Sequence, residues 1–397
     1  MTGYQESVSS KLPSAFIPGS LGQISMLKGS LTLFDACGIM PRAANSGSGQ
    51  EPPHDSGVLI AGVNWIGDTV MAMPAVQLFR ERYPEVPITM LVKPGVADLW
   101  KMHDAPDRII VLRPGNSGTL RSVVELRSKG FEQAYILPLS IRSALIPWLA
   151  GIPERIGMPG DFRNWMLNRL VDSGSKDQHQ AFEYIDMLVP GHSVTKIPRP
   201  VISVPGDIAG KADRLLESLS EPRIGFLPGA ARGPSKMWPA HHFISLGIRL
   251  TKETPGSIVV MGSPGERGLC ESISNAIGPR AVNMAGDTSL SEWVALLGAC
   301  DLVVANDSGG MHVAAATGTP VVALYGMTDP ARTGPLGDDA LVIQKGVARG
   351  RDIPRDSVEA VKSLESISPD EVFEAVHARL QSGHFSFRYC QKLNENG

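Results

Sequence analysis

The densest chemistry in this chain lies in the run Asp301-Leu-Val-Val-Ala-Asn-Asp307-Ser-Gly-Gly-Met-His312. Leu302 to Ala305 has the unbroken apolar character of a buried parallel strand, and Met311 to Thr317 reads as a helix. Between them Ser308, Gly309 and Gly310 admit a ligand close to the backbone. The free N–H groups that open the helix attract an anion there, a phosphate above all. The glycine spacing is neither that of a dinucleotide fingerprint nor that of a Walker loop. His312 falls in the first helical turn, where it is either a neutral donor to that phosphate or a structural histidine.

Three other loops carry reactive types at the ends of apolar runs. In Val63-Asn64-Trp65-Ile-Gly67-Asp68 the chain turns at Gly67, and Asp68 stands at or near the start of a helix, as its cap or as a general base facing a cleft. Leu227-Pro-Gly229-Ala-Ala-Arg-Gly233-Pro-Ser-Lys236-Met-Trp238-Pro239 sets a lysine just before a helix. Lys236 then either shares the phosphate with the Asp307 turn or is a solvated charge. Tyr325-Gly-Met-Thr328-Asp329-Pro330-Ala-Arg332-Thr333-Gly334 offers hydroxyls and an arginine, or else a plain surface turn.

The elements that must position these loops follow an α/β rhythm. Strand patterns at Val58–Val63, Ile88–Val92, Arg108–Leu112 and Gln133–Leu139 alternate with helical ones at Thr69–Tyr83 and Leu120–Ser128, predicting a first parallel sheet. After a proline-rich passage from Pro190 to Pro205, a second series runs through Arg223–Leu227, Ser257–Gly262, Asp301–Ala305 and Pro320–Gly326. Ser368 to Gln381, with a serine cap and early acids, predicts a closing helix. Two doubly wound domains facing each other leave a crevice at the carboxyl ends of their strands, and function is expected there. Residues 1 to 56 read as an extension and linker, either a weakly ordered tail or sequence ahead of a start at Met26 or Met40. The division expected is 1–56, then domains 57–205 and 206–365, then a helix and tail over 366–397.

Composition narrows the class. A chain of 397 residues with 43% hydrophobic and 19% charged residues fits a globular protein with two cores, and a net charge of -3 argues against wholesale nucleic-acid binding. The cysteines at 37, 270, 300 and 390 are too scattered for a zinc site or a disulfide framework, which fits a reducing cytoplasm. No run reaches membrane-spanning length, and Met1 to Ser10 lacks the basic start of a signal peptide.

Taken together, Asn64-Trp-Ile-Gly-Asp68, Pro228-Gly-Ala with Lys236-x-Trp-Pro, Asn283-x-Ala-Gly286 with Ser289-Leu, Asn306-Asp-Ser-Gly-x-Met-His312 and Gly326-x-Thr-Asp-Pro closely resemble the ADP-heptose:lipopolysaccharide heptosyltransferases of glycosyltransferase family 9. The resemblance covers residues 57 to 382 and implies a GT-B fold, two Rossmann-like domains across a cleft, with the acceptor on the first and the nucleotide sugar on the second. It implies inverting, metal-independent transfer of heptose from ADP-L-glycero-β-D-manno-heptose to a heptosyl-Kdo-lipid A acceptor. Asp68 would be the base. Lys236, the N–H groups at Ser308, Gly309 and Gly310, and His312 would hold the departing diphosphate, with Gly229 lining the same pocket. Asp307 would bind the heptose hydroxyls, and Met261 and Glu266 the adenosine. The chain contains no Asp-x-Asp pair, so no metal or other cofactor is expected.

On the acceptor side the resemblance assigns Asn64, Trp65 and Gly67, with Arg142, Arg155 and Arg163 around a loop suited to a phosphorylated sugar, although these arginines could equally be ordinary surface charges. Leu139-Ser-Ile departs from the family's usual polar run there. The lipid-anchored acceptor implies a cytoplasmic protein in peripheral contact with the inner face of the inner membrane. Alternatives are a different acceptor for the same donor, a nucleotide-sugar epimerase, and a non-catalytic nucleotide-sugar-binding relative.

Overall fold

In the computed structural model the described residues are 56–160, 162–172, 177–191, 195–350 and 353–381. Apart from Ser56, the expected extension over residues 1 to 56 lies outside them, as does the tail after Gln381. The first half runs β1 (Val58–Ala61), α1 (Ile66–Arg82), β2 (Ile88–Val92), α2 (Pro94–Lys101), β3 (Arg108–Val111), α3 (Gly115–Lys129), β4 (Gln133–Ile136), α4 (Ile141–Leu149), β5 (Glu154–Gly157), β6 (Arg169–Leu170) and α5 (Ala181–Leu188). The second runs α6 (Gly206–Leu216), β7 (Arg223–Leu227), α7 (Ala240–Glu253), β8 (Ser257–Val260), α8 (Arg267–Ile277), β9 (Ala281–Asn283), α9 (Leu290–Ala299), β10 (Leu302–Asn306), α10 (Gly309–Ala316), β11 (Val321–Tyr325), α11 (Pro330–Thr333), β12 (Ala340–Gln344), α12 (Val358–Glu365) and α13 (Pro369–Gln381).

Each half forms a six-stranded sheet, in the orders β3-β2-β1-β4-β5-β6 and β12-β11-β10-β7-β8-β9. All pairings within them are parallel. Strand order reverses beside β1 in the first sheet and between β7 and β10 in the second. Such switch points leave a crevice at the carboxyl ends of the strands, and the loops after β1, β7 and β10 open there. Every residue of β1, β2, β4, β8, β10 and β11 is buried, as expected for parallel strands covered on both faces.

Helix α1 is buried nearly all round from Thr69 to Phe79, interrupted only by half-buried Gln77. It is wrapped by α5 on one flank and by α10 of the opposite half on another. Phe79 anchors it, fully buried with Tyr135 edge-on at 5.6 Å and Tyr83 at 5.0 Å. Through α1 and α10 one apolar core continues from the first sheet to the second, so both sheets share the floor beneath the crevice. The closing helix α13 packs on α7, with Val372, Phe373 and Val376 inside the second core. Its start has the expected serine cap, Glu371 N donating to Ser368 Oγ at 3.2 Å.

Several expected boundaries shift. The strand patterns at 58–63 and 133–139 stop at Ala61 and Ile136, because the chain turns off the sheet toward the crevice. Helix α10 begins at Gly309, so the two glycines expected in the turn form its first residues. The segment expected as a loop around Arg155 contains β5 and, after it, β6. β6, β9 and β12 are outermost in their sheets and short or half-buried, and β5, just inside β6, is only four residues long.

Candidate active site

A cleft of about 530 Å³ lies between the two sheets. Trp65, Gly67 and Asp68 line it from the first half; Gly229, Lys236, Met261, Glu266, Asp307, Ser308, Gly309, Gly310 and His312 line it from the second. Residues expected from four separate loops therefore meet in one space.

Two helix N-termini abut in this cleft. The cap of α1 is Trp65 and that of α10 is Ser308, and neither side chain caps its own helix. By contrast Ser357, at the start of α12, accepts from Ala360 N. The N-cap alternative for Asp68 is thereby corrected: Asp68 is the third residue of α1, inside its first turn. The approach is close because both contact points are glycines. A methyl at Gly309 would stand 3.0 Å from Ile66 Cβ and 3.1 Å from Gly67 N, and one at Gly67 would stand 3.1 Å from His312 Cδ2. A methyl at Gly310 would meet Leu227 at 2.5 Å and Trp293 at 3.3 Å. Two positive dipole ends facing one cavity favour an anion.

Lys236 and Asp307 face each other at 2.5 Å, Nζ to Oδ2, both buried. Each neutralises the other, and two ammonium protons remain for a ligand. The loop bearing Lys236 is fixed by Asn306, fully buried, which accepts from Trp238 N at 2.9 Å and donates to Pro228 O at 2.7 Å. Burial, with His179 and Lys236 nearby, pushes the His312 imidazole down to about 3, so it stays neutral and can donate only one N–H. Tyr325 is driven well above its ordinary range by burial and by Asp307, and its hydroxyl donates to Thr333 O at 2.7 Å.

Glu266 accepts from Ser263 N at 2.7 Å and Ser263 Oγ at 2.8 Å, and its carboxylate lies over Gly229, where any Cβ would overlap it. Glycine at 229 is therefore a matter of space. Asp68 Oδ1 accepts from Gln180 Nε2 at 3.3 Å, across 112 positions of sequence.

Four expected residues do not line the cleft. Asn64 flanks it without lining it. Arg142 is exposed and donates to Thr119 Oγ1 at 2.7 Å. Arg155 and Arg163 are corrected outright as surface groups for an acceptor. Arg155 is buried in β5 and donates to the carbonyls of Met166 at 2.6 Å and Pro153 at 3.0 Å. Arg163, with no exposure, donates to Pro138 O. Both guanidiniums hold neighbouring loops together, and removing either would strand buried carbonyls. Residues not foreseen include Thr288, Ser289 and Trp293 at the start of α9, which line the cleft, and Gln180. Ser289-Leu was visible as a motif without an assigned role. Gln180 carried no local signal.

The family model described as glycosyltransferase family 9 (heptosyltransferase) matches residues 120–359. Lipopolysaccharide heptosyltransferase 2 of Escherichia coli (strain K12) is 32% identical over 344 residues, covering 81% of this chain and 98% of that one. Lipooligosaccharide heptosyltransferase 2 of Haemophilus influenzae is 32% identical over 307 residues, covering 72% and 88%. The solved structure of the E. coli ADP-heptose LPS heptosyltransferase II has a TM-score of 0.73 at 31% identity, covering 82% of this chain and 99% of that one. That of E. coli heptosyltransferase WaaC with ADP has a TM-score of 0.63 at 19% identity, covering 81% and 99%, a likeness of fold alone. The two facing parallel sheets are the GT-B fold. By the family match and the near full-length relatives, this chain is a member of glycosyltransferase family 9, the heptosyltransferases.

Proposed function

We propose that the protein transfers heptose from ADP-L-glycero-β-D-manno-heptose to the heptosyl-Kdo-lipid A inner core of lipopolysaccharide, the reaction of a heptosyltransferase II. The observation that carries this reading is the convergence of Asp68, the Lys236–Asp307 pair and two open helix N-termini on one cleft. Residues 57–205 serve as the acceptor domain and 206–365 as the donor domain, closed by the helix within 366–397. An acceptor hydroxyl attacks the anomeric carbon while Asp68 takes its proton, and ADP leaves from the opposite face with inversion. Lys236, the N–H groups at Ser308, Gly309 and Gly310, and neutral His312 stabilise the departing diphosphate, so the step is written without a metal. Asp307 accepts from the heptose hydroxyls, while Gly229, Met261 and Glu266 seat the adenosine.

Gly229→Ala tests the adenosine assignment. The new methyl forces Glu266 off Ser263, so ADP affinity is expected to fall about ten-fold, roughly 1.4 kcal/mol, with the fold retained. Calorimetric titration with ADP measures this, and an unchanged Kd removes Glu266 from the pocket.

Among the described residues no helix is long and apolar enough to cross a membrane. We place the protein in the cytoplasm, touching the inner face of the inner membrane through exposed Phe162 (84%), Trp165 (59%), Leu139 and Ile141 on the first domain. Trp165 Nε1 donates to Phe162 O at 3.0 Å and its ring meets Trp148 edge-on, so the patch is braced. The second reading keeps the donor and changes the acceptor. It is favoured by the burial of Arg155 and Arg163, which leaves Arg142 alone of the three arginines available to a phosphorylated sugar.

Mass spectrometry of products decides between them, with purified protein, ADP-heptose and heptosyl-Kdo-lipid A, and a control lacking acceptor. One added heptose plus ADP, only with acceptor present, establishes the first reading, and donor binding without transfer points to another acceptor. In the same assay Phe162→Ser with Trp165→Ser should lower transfer several-fold to acceptor in phospholipid vesicles and leave transfer to detergent-dispersed acceptor unchanged.

A further inference from the structure

Gln180 stands at the N-cap of α5, yet its side chain does not cap that helix. Ala181 N donates instead to His179 Nδ1 at 3.1 Å. The Gln180 amide turns away, and Nε2 donates to Asp68 Oδ1 at 3.3 Å and to Tyr184 OH at 2.6 Å. The carboxylate settles which end of the amide faces it, because the carbonyl end would meet it acceptor to acceptor. The residue is only 2% exposed, and its Oε1 is buried with no hydrogen-bond partner. A carbonyl left unpaired in the interior costs stability, so a hydrocarbon would serve packing better at this place. The amide gains only what its N–H end holds.

The segment carrying Gln180 is also clamped to the opposite domain. Gln180 N donates to Arg332 O at 2.9 Å, His179 Nε2 to Gly334 O at 3.0 Å, and Arg332 pairs with Glu183 at 3.0 Å, both partners largely buried. Thr333, between those contacts, lines the cleft. The amide that touches Asp68 is thus anchored by the donor-side domain as well as by its own helix.

We infer that Gln180 is a positioning residue for Asp68: its amide fixes the orientation of the carboxylate, and the clamp of residues 179–183 on Arg332 to Gly334 ties that orientation to the meeting of the two domains. This rests on the reading of Asp68 as the base. A carboxylate takes the proton well only when one of its lone pairs is aimed at the hydroxyl. With Oδ1 held by the amide, the carboxylate meets a substrate hydroxyl already oriented, without a rotational search as the bond forms.

The test compares kcat, donor KM and Tm of the full chain for wild type, Gln180→Met, Gln180→Glu and Asp68→Asn. Gln180→Met keeps the length and removes both polar ends. It should lower kcat about ten-fold, leave donor KM within about two-fold, and hold or raise Tm. Gln180→Glu sets a second carboxylate against the first and should lower kcat further, and it serves in place of Gln180→Met if that variant fails to fold. If Asp68→Asn is inactive while both Gln180 variants turn over like wild type, the positioning role is overturned and the base remains. If Gln180→Met loses Tm and affinity along with kcat, the residue is merely structural and the inference falls. If Asp68→Asn itself transfers normally, the base reading fails first.

Discussion

Asp68→Asn is expected to lower kcat by about 10³-fold with donor KM nearly unchanged, within the range general-base catalysis supplies. The substitution is close to isosteric. An asparagine carbonyl still accepts from Gln180 Nε2, so the contact at 3.3 Å and the approach of α1 to α10 survive while the proton acceptor is lost. Asp68 lies in the first turn of α1, where a negative charge stabilises the helix, and its removal should cost no more than about 1 kcal/mol. Activity and stability are therefore predicted to separate. Steady-state transfer beside a thermal melt measures both, and a folded variant with near-normal kcat would reduce Asp68 to a helix-terminal charge.

Lys236→Ala is expected to damage both quantities. Lys236 and Asp307 are each less than one-tenth exposed, so removing the ammonium leaves a buried carboxylate without its counter-ion, at a cost of about 3–5 kcal/mol. With the lysine charge gone from beside the leaving diphosphate, kcat/KM should fall by about 10²-fold or more. The double variant Lys236→Met with Asp307→Asn separates the two effects, because it removes both charges and should recover most of the stability and none of the activity. Recovery of transfer in the double variant, or unchanged kinetics in Lys236→Ala, would take Lys236 out of the reaction.

Those two residues were legible in the chain because each lies on the connection that leaves an apolar strand, and a strand end in a doubly wound sheet points to the crevice. The same logic placed Ser308 and His312 at the crevice, and the family resemblance added Gly229, Met261 and Glu266, all of which line one space. The resemblance also put Arg155 and Arg163 on the acceptor side, and the structure buries both. Their charge and their neighbouring glycines and prolines look like a ligand loop, but the short strand Glu154–Gly157 turns Arg155 inward, where backbone carbonyls rather than a ligand satisfy it. A four-residue strand without a β-branched run gives no periodicity to read.

Local order thus decided the central strands, the approximate positions of the helices that follow them and the kinds of group at the strand ends, since these depend on neighbours a few positions apart. The pairing of Lys236 with Asp307, the meeting of Gly67 with Gly309, and the hold of Gln180 on Asp68 join residues 71 or more positions apart, and only the tertiary fold, within each domain and between the two, could decide them. A side chain's type states what it is able to bond. Which partner it finds, and whether water is there to compete, is set by burial, and burial belongs to the folded chain.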